Sequence, residues 1–238
     1  MKSGAVSCWR LAALTFLLGF VVWGCAPRQP TPPPEGRELL QQLEAGAATR
    51  EAVEAELKAM DVPKLVKRLE ADAARGVEPF NSLAYPEFVS RGPGVGEALA
   101  SSIKAPDRTS FLTLLALREV DRDRYRSFNP ELGIAILVDA LGTSEYFNAW
   151  GMPHLYWEDA SEAIIEYDEL AIEPLRQLLD DNREAPVWGS EEVLEYNIYK
   201  YRVKDYAWAL LMEIKGVELE VPIHPAERDN LIGTELRR

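Results

Sequence analysis

Two kinds of helical segment alternate along the chain from residue 95 onward. Short, strongly apolar segments occupy residues 95–103, 132–141 and 171–179, at intervals of about 38 residues. Longer amphipathic segments lie between or after them, at residues 109–120, 159–169 and 204–215. Alternation of two helix types at a fixed period is typical of an α-solenoid, in which each helical pair stacks on the next. The pattern predicts an all-α fold, a short α-solenoid of helical hairpins.

The last repeats resemble HEAT-like repeats. Residues 171–180, Ala-Ile-Glu-Pro-Leu-Arg-Gln-Leu-Leu-Asp, are similar to the second helix of such a repeat, and residues 207–216, Ala-Trp-Ala-Leu-Leu-Met-Glu-Ile-Lys-Gly, resemble the following first helix. The resemblance covers about residues 95–220. Asp168-Glu169 replaces the usual turn glycine, and the links between repeats are unusually long. The resemblance implies a scaffold rather than a reaction.

The long links are rich in aromatic residues. Each contains a Trp-Gly pair, at Trp150 and Trp188, and the offset of 38 residues equals the repeat period. We therefore expect the two loops on one edge of the solenoid. They either form a binding surface, since aromatic rings offer large contact area with a polar handle, or fill gaps between repeats with mostly buried rings. The candidate binding residues are Asn148, Trp150, His154, Tyr156, Trp157, Trp188, Ser190, Glu191, Tyr201 and Arg202.

The N-terminal segment has the pattern of an export signal. Lys2 and Arg10 precede an uncharged apolar run of 13 residues, which is too short to span a bilayer. Gly24-Cys25 resembles the end of the lipobox of bacterial lipoproteins, although Trp23 stands where a small residue is usual. The resemblance implies cleavage before Cys25 and acylation of its thiol. A plain signal peptide with an incidental cysteine is the alternative.

These segments predict five regions. They are a signal peptide (1–24), the lipidated Cys25 with a proline-rich linker (25–36), an N-terminal helical cap region (37–94), the HEAT-like repeat region (95–220) and a polar C-terminal tail (221–238). The linker holds five prolines, which favour an extended spacer. We expect a location in the bacterial cell envelope, with Ala26 after the cysteine favouring the outer membrane, facing the periplasm.

Composition limits the expected partners. The chain has 39 acidic and 26 basic residues, a net charge of −13, which argues against nucleic acid and against attraction to anionic lipid. The expected partners are therefore the membrane, through acyl chains on Cys25, and a protein of the envelope. No cofactor or metal is expected, because the sequence has no His-x-x-x-His spacing, cysteine pair, phosphate loop or dinucleotide fingerprint.

An enzyme or glycan-binding protein that acts on an envelope polymer through the aromatic loops is the alternative function. His154 would then serve with Glu158 or Glu191 as acid and base. Acidic residues are too abundant for one pair to stand out, so an enzyme is the less favoured hypothesis. A binding protein should leave its aromatic edge open and shallow, whereas an enzyme should place His154 and a carboxylate in one closed cleft.

Overall fold

Helices make up most of the described part of the chain. A computed structural model of the chain describes residues 50–74, 81–82 and 84–236, so the predictions for the signal, Cys25 and the linker lie outside the described residues. The α-helices are α1 (Arg50–Ala59), α2 (Val62–Ala74), α3 (Ala84–Arg91), α4 (Gly96–Ser102), α5 (Arg108–Val120), α6 (Arg122–Ser127), α7 (Pro130–Thr143), α8 (Asp159–Ile165), α9 (Ile172–Arg176), α10 (Ser190–Tyr199), α11 (Val203–Ile214) and α12 (Pro225–Glu235). Strands β1 (Gly151–Met152) and β2 (Tyr156–Trp157) form a small antiparallel hairpin. The predicted all-α class is confirmed.

Side-chain caps explain where several helices begin. The Asp61 carboxylate accepts a hydrogen bond from the backbone nitrogen of Lys64 (3.0 Å), and the Asp107 carboxylate accepts one from that of Ser110 (2.7 Å). Asn129 caps α7 in the same way, immediately before Pro130. Such caps satisfy backbone donors that have no partner within the helix. The sequence itself predicts this N-cap, because Asp61 is followed by Pro63 within the first turn, and the structure confirms it. The helix stop that the sequence predicts at Gly76 lies outside the described residues.

Two predicted helices are shorter than expected. The segment predicted as a helix over residues 159–169 ends at Ile165 and continues as the 3-10 helix Asp168–Ala171. Asp168 adopts a positive φ of 51°, which a regular right-handed helix does not allow. The helix predicted over residues 171–179 is regular only over α9, and turns follow it. The positive φ of Asp168 thus interrupts the helix between α8 and α9.

Three helices lie where no regular helix was predicted. α6 occupies a run of mixed charge, and α10 occupies the second aromatic link. α12 falls within the predicted polar tail, yet Arg228, Ile232 and Glu235 of this helix are buried. A tail assignment fails here because the polar side chains of α12 find charged partners on neighbouring elements. Glu235, for example, pairs with Lys215 and with Arg176.

Helices α5 and α11 form the centre of the core. Almost every residue of both helices is buried, as expected of helices enclosed by others. α5 packs against α2, α3, α4, α6, α7 and α8, and α11 packs against α7, α8, α9 and α12. α8 therefore lies in contact with both central helices and joins them into one core.

The repeat register predicted nine buried apolar side chains. They are Leu137, Leu141, Ile164, Ile165, Leu175, Leu178, Leu179, Leu210 and Leu211. All are buried except Ile165 and Leu178, which are half-buried and pack against the core from outside. Leu178 follows the end of α9, and its side chain lies over Gly142 of α7. Its partial exposure means that it contributes less to the core than Leu175.

Truncation of Leu175 and of Leu178 should distinguish a core position from a peripheral one. We expect Leu175→Ala to lower the free energy of unfolding by about 2–5 kcal/mol, because the side chain is fully enclosed and leaves a cavity. Leu178→Ala should cost less than half of that amount. Urea denaturation followed by circular dichroism measures both values. Equal losses in the two variants would contradict this assignment of the core.

Candidate functional site

The first Trp-Gly pair leads into the β-hairpin. The 3-10 helix Asn148–Trp150 precedes β1, and Gly151 adopts a φ of 79°. A Cβ atom at Gly151 would lie 2.8 Å from the backbone nitrogen of Glu158, so a larger residue would force β1 and β2 apart. The tip of the hairpin contains His154, and the backbone nitrogen of Leu155 donates to the Met152 carbonyl (2.9 Å). Gly151 thus fixes the direction in which the tip projects.

The two Trp-Gly loops lie against each other. The Asn148 side chain donates to the Trp188 carbonyl (2.6 Å) and accepts from the Trp188 backbone nitrogen (2.9 Å). The backbone nitrogen of Phe147 also donates to the Pro186 carbonyl (2.8 Å). Asn148, proposed from the sequence as a binding residue, therefore joins the loops. This adjacency agrees with their offset by one repeat period.

The indole rings serve packing more than binding. The Trp150 side chain is completely buried, stacks on Phe111 with ring centroids 6.1 Å apart, and donates from Nε1 to the Ser144 hydroxyl (3.3 Å). Trp150 consequently presents no surface to a ligand, which corrects its place among the candidate residues. Trp157 and Trp188 are half-buried. The indole rings therefore mostly fill gaps within the core, which is the second of the two interpretations of the sequence.

His154 is held between the hairpin and α10. Its Nδ1 lies 2.7 Å from the hydroxyl of Tyr201, and its Nε2 lies 3.3 Å from a carboxylate oxygen of Glu195. Its ring stacks on Tyr199, with centroids 4.0 Å apart and planes inclined by 23°. Glu195 and Tyr199 are one helical turn apart, so they share a face of α10. Glu195 was not among the residues predicted from the sequence, although its spacing of four from Tyr199, beside an aromatic loop, was the available signal.

Protonation follows from these contacts. Burial raises the pKa of the completely buried Tyr201, so its hydroxyl keeps its proton and donates to His154 Nδ1. The neutral imidazole then carries its proton on Nε2, directed at Glu195. Burial lowers the pKa of His154, and Glu195 opposes that shift. The neutral ring therefore satisfies both neighbours, and the predicted pairing of His154 with Glu158 or Glu191 is replaced by pairing with Glu195.

Arg202 belongs to an internal ion network. Its guanidinium lies 2.9 Å from the Asp205 carboxylate and 2.8 Å from that of Asp229. The backbone nitrogen of Arg202 also donates to Asp205, so the pair fixes the start of α11. Arg202 was a candidate binding residue, but its charge is already neutralised by two carboxylates. The Tyr201 ring beside it lies under the Arg228 guanidinium, 5.3 Å from the ring centroid, and is likewise structural.

The exposed part of this region is apolar and acidic. Leu155 at the hairpin tip is 65 % exposed, and Leu194 and Ile198 on α10 are 66 % and 53 % exposed. Tyr156 is partly exposed, and burial together with Glu192 and Glu158 raises the pKa of its hydroxyl, which places both carboxylates nearby. We call the hairpin Gly151–Trp157 and helix α10 together the hairpin–α10 edge. It presents apolar side chains among carboxylates.

The remaining candidates also lie on this edge. Glu191 is exposed in the first turn of α10. Ser190 begins the helix, and its side chain lies outside the described residues. Burial raises the pKa of Glu158, with further contributions from Asp159, Glu162 and Glu192. Carboxylates therefore crowd the base of the hairpin, where a cationic group would be favoured.

Comparison with family models, with curated proteins and with solved structures gave no match. Among the described residues, no group of three or more histidines, cysteines and acids is arranged to hold a metal ion. None of the helices in the same residues is long and apolar enough to cross a membrane. The geometry of the hairpin–α10 edge thus supplies the observations on function.

The pH dependence of stability should report on His154. Its pKa is lowered in the folded protein, so its stabilising contribution is complete above the unfolded value of about 6.5 and is lost as pH falls through the folded value. We expect the free energy of unfolding of the parent to fall more steeply between about pH 7 and pH 5 than that of His154→Gln.

The chain offers a matched control for this measurement. His224 is its other histidine and is exposed at the start of α12. Urea denaturation of His224→Gln should give the steep profile of the parent. If His154→Gln and the parent show the same slope, the neutral imidazole between Tyr201 and Glu195 is not what stabilises the hairpin tip.

Proposed function

We propose that this chain is a lipid-anchored protein of the bacterial cell envelope whose helical body holds a protein partner. The body would be a short α-solenoid of HEAT-like hairpins, and the partner would bind at the hairpin–α10 edge. The observation that carries this proposal is the exposure of three apolar side chains on this edge. Leu194 and Ile198 lie one turn apart on α10, and Leu155 follows the firmly held His154 at the hairpin tip. Exposed apolar groups that occur together mark interaction sites in soluble domains.

Helix contacts support the solenoid part of the proposal. α8 contacts both α5 and α11, and α7 contacts α9. Arg118 of α5 reaches across to Glu162 (2.7 Å) and Glu166 (2.8 Å) of α8. The Tyr125 hydroxyl donates to the Ala163 carbonyl in the same interface (2.6 Å). Stacking of neighbouring helical pairs through such contacts is the expected pattern of a repeat protein.

The hairpin–α10 edge has the properties of a contact surface. Leu194 and Ile198 lie one turn apart on one face of α10, and Glu195 and Tyr199 beside them fix the hairpin tip through His154. A rigid surface loses little conformational entropy on binding, which favours affinity. Glu191, Glu192 and Glu195 add negative charge. The preferred partner is therefore a protein with apolar and basic side chains.

The sequence supports membrane attachment through Cys25. The net charge of −13 gives the body no attraction to anionic lipid, so attachment would depend on acyl chains. The five prolines after Cys25 would hold the body away from the bilayer, since polyproline segments extend by about 3 Å per residue. The hairpin–α10 edge would thereby be presented to proteins of the periplasm.

The geometry of His154 favours the scaffold over the alternative enzyme. A general base needs a nitrogen that faces the substrate, but Tyr201 occupies Nδ1 and Glu195 lies at Nε2. The Tyr199 ring also covers one face of the imidazole. His154 is therefore engaged on three sides by the protein itself.

Substitution on α10 should remove partner binding without loss of stability. In cross-linking and capture from detergent-solubilised membranes of the source cells, we expect Leu194→Ser with Ile198→Ser to lose a partner that the parent retains. The melting temperature should stay within a few degrees, because both side chains are largely exposed. Leu170→Ser is the matched control, since Leu170 is 62 % exposed and lies outside this edge. Equal capture by parent and variant would contradict the proposed surface.

Substitution of Cys25 should test the anchor separately. Cys25→Ser removes the thiol that acylation requires, so we expect the protein in the soluble fraction or as an unprocessed precursor. Partition into detergent Triton X-114, followed by mass measurement of the intact chain, distinguishes these forms from the acylated parent. A Cys25→Ser protein that partitions like the parent would show that the lipoprotein assignment is wrong.

A further inference from the structure

A groove of about 540 Å³ lies along α7, and it shares no residue with the hairpin–α10 edge. Its floor is formed by α7, with the buried Ile134 and the half-buried Ala135 and Val138, and Leu170 also lines it. Leu170 is 62 % exposed in the 3-10 helix after α8. Ile134, Ala135 and Val138 occupy the i, i+1 and i+4 positions of α7, which form one stripe along a helix. The groove is thus an apolar helix face that no other element covers completely.

Two carboxylates mark the ends of this stripe. Glu131 and Asp139 line the groove and are exposed, one turn before and just after the apolar residues. They are eight residues apart on α7, which corresponds to about 12 Å along the helix axis. Within residues 50–74, 81–82 and 84–236, no cation forms an ion pair with either of them. The groove therefore has unneutralised negative charge at both ends.

The arginine side chains Arg176 and Arg108 interact with groups other than Glu131 and Asp139. Arg176 pairs with Glu173 (3.5 Å) and Glu235 (3.0 Å), and the Arg108 guanidinium lies over the Phe111 ring, 5.5 Å from its centroid. Many other acids of the body have internal partners, as Glu166 has in Arg118 and Arg122. Glu131 and Asp139 differ from these acids in facing an open apolar groove. Cations supplied by a binding partner would be favoured there.

We propose that this groove binds an amphipathic helix whose apolar stripe is bracketed by two basic residues about seven or eight positions apart. The spacing matches that of Glu131 and Asp139, and the small side chain of Ala135 lets a second helix approach closely. Packing of a helix against α7 repeats the arrangement by which the helices of the body already cover one another.

Other occupants fit the charge less well. A second copy of this chain carries a net charge of −13 and would bring like charges together. An acyl chain with a phosphate or carboxylate head group would place an anion beside Glu131 or Asp139. A basic helix is the occupant for which both the apolar floor and the charged ends are favourable.

The test uses a fluorescent, alanine-based helical peptide of about 16 residues, long enough to hold a helix. Two lysines bracket three leucines in it, with the spacing of Glu131, Ile134, Ala135, Val138 and Asp139. A second peptide has glutamates in place of the lysines. Fluorescence anisotropy with the full chain should show at least tenfold weaker binding of the glutamate peptide.

Variants of the chain locate the site. Leu170→Ser should weaken binding of the lysine peptide about tenfold, since it removes an apolar wall. Glu131→Gln with Asp139→Asn should weaken it by about threefold to tenfold, as expected for two exposed ion pairs. Leu231→Ser is the control, with an exposed leucine on α12 that lies outside both surfaces, and should bind like the parent. Leu194→Ser reports any binding of the peptide at the hairpin–α10 edge.

Three results would overturn the proposal. They are equal binding of the two peptides, equal weakening by Leu194→Ser and Leu170→Ser, and no binding of the lysine peptide at millimolar concentration. Competition by vesicles of an anionic phospholipid that is abolished by Leu170→Ser would identify a lipid as occupant and also overturn it. Failure of the groove proposal leaves the proposed function of the hairpin–α10 edge unaffected. The partner of that edge is tested by capture with substitutions of Leu194 and Ile198, and Leu170→Ser is the control in that experiment.

Discussion

The buried pairing of Arg228 with Asp205 holds the C-terminal half of the protein together. Both side chains are inaccessible to solvent, and Arg228 Nε lies 3.1 Å from the Asp205 carboxylate. The other guanidinium nitrogens donate to four backbone carbonyls, at distances of 2.7–3.3 Å. A buried charge is tolerated only when it is paired and its donors are satisfied, and removal of one partner costs about 3–5 kcal/mol. Arg228 is paired with Asp205 through Nε, and its two terminal nitrogens donate to carbonyls, so that it joins α12, α11 and the end of α10.

The hairpin–α10 edge depends on this pairing. Two of the carbonyls that Arg228 binds belong to Tyr199 and Lys200, and its guanidinium covers the ring of Tyr201. Tyr199 and Tyr201 are the residues against which His154 lies, so the hairpin tip is positioned through them. A residue of the supposed polar tail thus determines where the exposed leucines of the proposed binding surface stand.

Helix positions could be predicted from the sequence because their causes are local. Apolar spacing placed α5, α7 and α11 within a few residues, and the Asp61 cap was visible beside Pro63. The 38-residue offset of Trp150 and Trp188 also led to the expectation that the two loops lie together, and Asn148 joins them. α12 was missed, because its polar residues Arg228 and Glu235 are buried by partners distant in the chain.

The sequence by itself determined the helical class, the main helix positions, the acidic charge and the candidate lipidation site at Cys25. These depend on composition, on periodicity and on short motifs. The tertiary structure alone decided that Trp150 is buried, that Glu195 rather than Glu158 or Glu191 lies at His154, and that α7 leaves an apolar groove open. Each of these results depends on which side chains of different helices come into contact. Packing and burial determine those contacts, and they act only between segments that folding brings together.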